Sequence, residues 1–147
     1  SMTVHEVELG RAGIRSSSLA LGTAGIGNLF REVSDSDAAD TLEVSRSAGV
    51  SYFDTAPHYG LGLAETRLGK FVCDVGRDSL VLSINADGLI RDNPDADGGW
   101  DDQGFMVSNQ VHRVLDYSYD GVMTSLEESL QRLGVDSVDI VFVHDPD

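Results

Sequence analysis

The stretch Val50-Ser51-Tyr52-Phe53-Asp54-Thr55-Ala56-Pro57-His58-Tyr59-Gly60-Leu61-Gly62 passes from an extended pattern into a polar loop. Aromatic and β-branched residues lead to a carboxylate, Asp54, after which Pro57 imposes a turn and Tyr59 stands between His58 and Gly60. A strand of this kind delivers polar groups to its carboxyl end, so the stretch reads as part of a site. Immediately upstream, Ser34-Asp35-Ser36-Asp37 offers N-cap residues before Ala38, Ala39, Leu42, Val44 and Ala48, a helical spacing that stops at Gly49. Downstream, Leu63 to Val72 has helical periodicity and Leu80-Val81-Leu82-Ser83-Ile84 is a short apolar strand.

The alternation extends to both ends. Val7-Glu8-Leu9 and Ile14-Arg15, parted by Gly10-Arg11-Ala12-Gly13, predict a small β-hairpin, and Leu19 to Thr23 predicts a first buried strand. From Asn85 to Tyr119 the periodicity lapses into a segment rich in Asp and Gly, too long for a plain connection and of the kind that carries function or motion. Asp120 to Leu133 then forms an amphipathic helix whose positions 122, 123, 126, 130 and 133 share a face, ended by Gly134. Asp139-Ile140-Val141-Phe142-Val143 is the fourth strand. Four strands separated by three helices predict parallel pairing with helical crossovers in one domain over residues 1–147. The strand ends, where such sheets place reactive groups, are Gly22-Thr23, Asp54, Asn85 and His144.

Composition narrows the function classes. The formal net charge is −15 and Lys70 is the only lysine, which argues against a nucleic-acid partner, since phosphate binding draws on Lys and Arg. No apolar run approaches the roughly 20 residues that a membrane helix needs, so a cytoplasmic protein with no membrane partner is expected. The single cysteine, Cys73, can form no intrachain disulfide.

Together, Phe53-Asp54-Thr55-Ala56-Pro57-His58-Tyr59-Gly60, Leu68-Gly69, Asp116-Tyr117-Ser118, Glu128-Ser129-Leu130-Gln131-Arg132-Leu133-Gly134 and Val143-His144-Asp145-Pro146-Asp147 resemble the aldo-keto reductases. The likeness is greatest to their bacterial branch of sugar and aldose dehydrogenases. It implies an α/β fold, a parallel half-barrel related to the (α/β)8 TIM barrel with an N-terminal β-hairpin. It also implies NAD- or NADP-dependent hydride transfer on a small carbonyl or sugar substrate. Carried over by position, Tyr59 is the general acid/base, Asp54 the carboxylate that partners the family's lysine, and His144 the group that orients the carbonyl. Gly22, Thr23 and Asp54 are the cofactor-binding residues.

Two departures qualify this expectation. The family's lysine, which lowers the pKa of the tyrosine, is expected where this chain has Asn85, and an amide supplies no positive charge. The four strands are half of the eight that close such a barrel. The unpaired first and last strands predict either a homodimer joined through those edges or a piece of a longer chain. The alternative to an impaired oxidoreductase is therefore a non-catalytic pseudoenzyme or half-barrel assembly module. Other motifs are incomplete: Gly22 to Gly27 and Gly60-Leu61-Gly62 do not complete G-x-G-x-x-G, and Asn93 to Gly98 mimics the start of a calcium loop but has Asn at its first ligand position and Gly104, not Glu, at its twelfth. No metal is expected.

Overall fold

The computed structural model describes residues 4–86 and 88–143. Strands β1 (Glu6–Leu9) and β2 (Ile14–Ser17) form the expected antiparallel hairpin. It is attached to the next layer by mutual hydrogen bonds between Ser17 and Ser51, each backbone N–H donating to the other hydroxyl at 2.9 Å.

The chain then alternates through β3 (Ala20–Gly22), α1 (Asp35–Ser47), β4 (Tyr52–Thr55), α2 (Leu63–Val75) and β5 (Val81–Asn85). Four short strands follow before α3: β6 (Leu89–Asp92), β7 (Gly99–Trp100), β8 (Met106–Val107) and β9 (Val111–Val114). Helix α3 (Tyr119–Leu133) leads to β10 (Ile140–Phe142). The main sheet is β10-β5-β4-β3, parallel throughout, with Gly22 opposite Asp54, Asp54 opposite Ser83 and Phe142 opposite Asn85. This is the predicted half-barrel order.

Strand alternation sorts the side chains. Phe53, Leu82 and Ile84 are fully buried and join the core supplied by Ala38 and Leu42 of α1, Leu68, Phe71 and Val72 of α2, and Leu133 of α3. The Phe53 and Phe71 rings meet at 5.4 Å. Asp54, Ser83 and Asn85 take the intervening positions and so share the opposite face. Ser34 and Ser118 cap α1 and α3, each hydroxyl accepting from a backbone N–H three residues on at 3.0 Å.

Three expectations require correction. The first strand is an open edge, with Leu19 47% exposed and Ala20 and Gly22 exposed, because nothing among the described residues pairs with its far side. The helix α1 buries only Ala38 and Leu42 of its apolar series, leaving Val44 on the surface. In α3 the deepest positions are Gly121, Ser125, Ser129 and Leu133, and Met123 is exposed. Small residues at four-residue spacing admit close neighbours: the Ser125 hydroxyl donates to the carbonyl of Gly88 at 2.9 Å.

The long segment after β5 has its own structure. β6 pairs with β9 and β7 with β8, both antiparallel. The sequence shows only a lapse of periodicity here, because Leu89-Ile90-Arg91 and Val111-His112-Arg113-Val114 are each too short to stand out from their Asp- and Gly-rich surroundings.

Where α2 crosses α3, a Cβ on Gly69 would lie 2.6 Å from the carbonyl oxygen of Leu133. An unobstructed Gly→Ala change inside a helix gains about 0.5–1 kcal/mol, whereas forcing atoms into a packed contact costs about 1–3 kcal/mol. The contact is with backbone and cannot swing aside, so Gly69→Ala is expected to lower the melting temperature in a circular dichroism melt.

Candidate functional site

Asp54 is the last residue but one of β4, which lies between β3 and β5, and its neighbours hold it from two sides. Its carboxylate Oδ1 accepts from the Ser83 hydroxyl, and its backbone carbonyl accepts from both the N–H and the hydroxyl of Thr23, each at 2.9 Å. The Asp54 carboxyl is pushed above its ordinary range because burial disfavours its charge; the Ser83 hydrogen bond and the positive charge of His58 pull it partly back. Thr23 is buried with its hydroxyl committed to Asp54, so its contribution to the site is to fix the strand end. Gly22 is exposed, with open space where a Cβ would stand.

Tyr59 is placed by backbone contacts. Its N–H donates to Ala56 O at 3.2 Å and its carbonyl accepts from Ala64 N at 3.2 Å, while Gly62 N donates to Pro57 O at 2.9 Å. Gly60, Leu61 and Gly62 all have positive φ, 72°, 52° and 92°. For leucine that region is strained. The loop is also wedged against the turn after β3: a Cβ on Gly27 would approach the Tyr59 carbonyl oxygen to 2.6 Å.

Sequence reasoning missed the groups that cover this loop. Phe105, 3% exposed, lies between β7 and β8 and stacks on Tyr59 with ring centroids 6.0 Å apart; the His58 ring meets Tyr59 at 4.7 Å and Phe105 at 6.4 Å. Arg113 of β9 donates to the carbonyl of His58 at 2.9 Å, pairs with Asp101 at 2.7 Å and lies 5.8 Å from the Phe105 ring centre. Asp101 in turn accepts from Phe105 N at 2.8 Å. The long segment is thus joined to the Asp54–Tyr59 loop. A cavity of about 140 Å³ opens between them, lined in part by Pro57, His58, Gly88, Arg113 and Tyr117.

Beneath the loop, Glu65 of α2 is fully buried and pairs with Arg132 of α3 at 2.7 Å. Burial raises the Glu65 carboxyl above its ordinary range, opposed by the charge of Arg132, a hydrogen bond from Ser129 and the charge of His58.

His58 and Tyr59 are thus in ring contact, the charge of His58 reaches Asp54, and Thr23 and Ser83 hold Asp54. Asn85 ends β5, two residues beyond Ser83 and opposite Phe142. Lys70 borders a groove between α1 and α2 on the far side of the sheet. His144 lies outside the described residues.

The sequence profile of the Aldo/keto reductase family matches residues 18–147. The chain belongs to that family. It is 43% identical to a D-threo-aldose 1-dehydrogenase of a Pseudomonas species over 99% of this chain and 45% of that protein. A pyridoxal 4-dehydrogenase of Microbacterium luteolum is 38% identical over 93% of this chain and 42% of that protein. Among solved structures, a Pseudomonas aeruginosa protein assigned to the aldo-keto reductases superposes with TM-score 0.73 at 30% identity, covering 98% of this chain and 49% of that one. The chain spans less than half the length of each.

A carboxyl whose folded pKa is raised holds its proton more tightly folded than unfolded. Its charge therefore costs stability once the pH exceeds the unfolded value of about 4.3, and acidification through the folded value removes that cost. Arg132→Met leaves Glu65 buried and uncompensated, so a loss of about 3–5 kcal/mol is expected at neutral pH. Urea denaturation should show that deficit shrinking as the pH is lowered and Glu65 takes up a proton.

Proposed function

We propose that this chain supplies the substrate-side half of an NAD(P)-dependent oxidoreductase that interconverts a carbonyl and a hydroxyl on a small sugar or aldehyde. The observation that supports this most is the convergence of Asp54, His58 and Tyr59 at the end of β4, beneath the hairpin segment that carries Phe105 and Arg113.

The residues present fit one end of the cofactor. The half-buried Asp54 carboxylate can accept from ribose hydroxyls, and the open space at Gly22 allows close approach to backbone. When bound, the nicotinamide supplies or removes a hydride. In the reducing direction the Tyr59 phenol gives its proton to the substrate oxygen, and in the oxidising direction the phenolate takes it back. His144 is assigned to the carbonyl oxygen by family position. A phenol with a pKa of about 10 transfers protons sluggishly at neutral pH, so the Asn85 position weakens this step by up to the about 10²- to 10⁴-fold that acid–base catalysis contributes.

A second reading, a half-barrel assembly module, is favoured by the exposure of both edge strands: Leu19 beside β3, and Val141 and Phe142 of β10. Two copies related by a two-fold axis would bring the β3 edge of each beside the β10 edge of the other. Sedimentation distinguishes the readings: a dimer supports edge pairing, and a folded monomer at high concentration removes it.

The oxidoreductase reading is tested by adding NADH or NADPH and an aldose, with turnover and melting temperature as readouts. Asn85→Lys is expected to raise turnover by at least tenfold, with a ligand-dependent rise in melting temperature in both forms. No rise in melting temperature at millimolar cofactor in either form would count against cofactor binding by this chain.

A further inference from the structure

We infer that the groove between α1 and α2 is a docking site for a positively charged amphipathic helix of a partner protein. The groove has a volume of about 370 Å³ and lies on the face of the sheet opposite Asp54, so an occupant leaves the Tyr59 loop uncovered. Its shape follows from the local sequence. Ala38 and Leu42 of α1 and Leu68 and Phe71 of α2 fill the core beneath the two helices. Ala39, the neighbouring residue of α1, is exposed and too small to close the gap above them. The outer edge of Phe71, 7% exposed, and the half-buried Val75 therefore remain as an apolar floor.

The lining is helical on both sides. On α1 it runs from Asp35 through Ala39 to Glu43, and on α2 from Thr66 through Lys70 to Asp74, so each helix contributes a stripe at four-residue spacing. The rise along each stripe makes a channel about 12 Å long, which matches about two turns of a third helix laid into it. Helix-in-groove recognition places apolar anchors of that helix on such a floor and its polar flanks on the rims.

Charge decides the sign of the occupant. Asp35 is spent on Arg67, whose guanidinium also donates to the carbonyls of Ile26 and Val33, and Glu43 shares its charge with Arg46 at 3.5 Å. Asp40 and Asp74, one on each rim, are exposed and make no ion pair among the described residues. Lys70 opposes them, exposed and likewise without an ion pair among the described residues. The rims thus present more negative than positive charge, which suits Lys or Arg on both flanks of the incoming helix and an acidic or neutral residue opposite Lys70. A second copy of this chain is disfavoured, because its net charge of −15 repels a like partner. The rim charges stay in water and set orientation and salt dependence, while contact with the apolar floor supplies the rest of the attraction.

The experiment titrates the chain with a capped, fluorescein-labelled peptide of about four helical turns that carries a leucine stripe flanked by lysines. Binding is read by fluorescence anisotropy and mapped by amide shifts in the isotope-labelled chain. Saturable binding is expected, weakened by salt, with the shifts concentrated on α1 and α2. Asp40→Lys and Asp74→Lys are each expected to weaken it about three- to tenfold, and Lys70→Glu to tighten it about threefold. Glu127→Lys makes the same change of charge at an exposed position of α3 and is expected to leave binding unchanged. All four positions are exposed, so the variants keep the fold. No binding at millimolar peptide, or equal binding by a scrambled peptide of the same composition or by one with glutamate for lysine, would overturn the inference. So would an equal loss in Glu127→Lys, no gain in Lys70→Glu, or shifts gathered on the β3 or β10 edge. Shifts in the groove that grow with chain concentration in the absence of peptide would assign it to a second copy and overturn it as well.

Discussion

Glu65 has no exposed surface, and much of the site is arranged around that carboxylate. A buried charge costs several kcal/mol unless it is paired and hydrogen-bonded. Arg132 of α3 meets that demand at Oε1, 2.7 Å away, while Oε2 is left without a hydrogen-bond partner. The pair therefore sets the register of α3 on α2, which Gly69 permits by letting the Leu133 backbone approach. Because Glu65 sits in the first turn of α2, the same pair anchors the strained Gly60-Leu61-Gly62 turn and, through it, Tyr59.

The parallel half-barrel was legible because its information is local and periodic. Each strand of the main sheet is a short run with apolar positions, each helix begins at a Ser or Gly and ends near a Gly, and Asp54 stands one residue before the end of its strand. What stayed hidden depends on pairs distant in sequence. Nothing near Phe105 announces that it will stack on Tyr59, and Arg113 reads as one polar residue in a short extended run until β9 is placed beside β6. The burial of Ser125 and Ser129 was equally silent: an amphipathic count favours apolar positions, whereas a tight helix contact selects small ones. The Glu65–Arg132 pair had no spacing signal, since its members lie on different helices.

The arginines show how an acidic chain uses scarce positive charge. Arg67 donates to the carbonyls of Ile26 and Val33 at 2.9 and 2.7 Å, holding the loop before α1 against α2. Arg77 reaches the carbonyls of Leu80 and Ser137 and the carboxylate of Asp139, closing the approach to β10. Arg113 does the same for His58 and Asp101. The guanidinium fork suits this work because it satisfies several acceptors in one plane.

That pattern bears on the Asn85 position. The cations nearest the Tyr59 loop, Arg113 and Arg132, are engaged in carbonyl and carboxylate contacts, and withdrawing either would leave a carboxylate or backbone acceptor without its partner. Neither can be redeployed towards a developing phenolate without loosening the loop that positions the phenol.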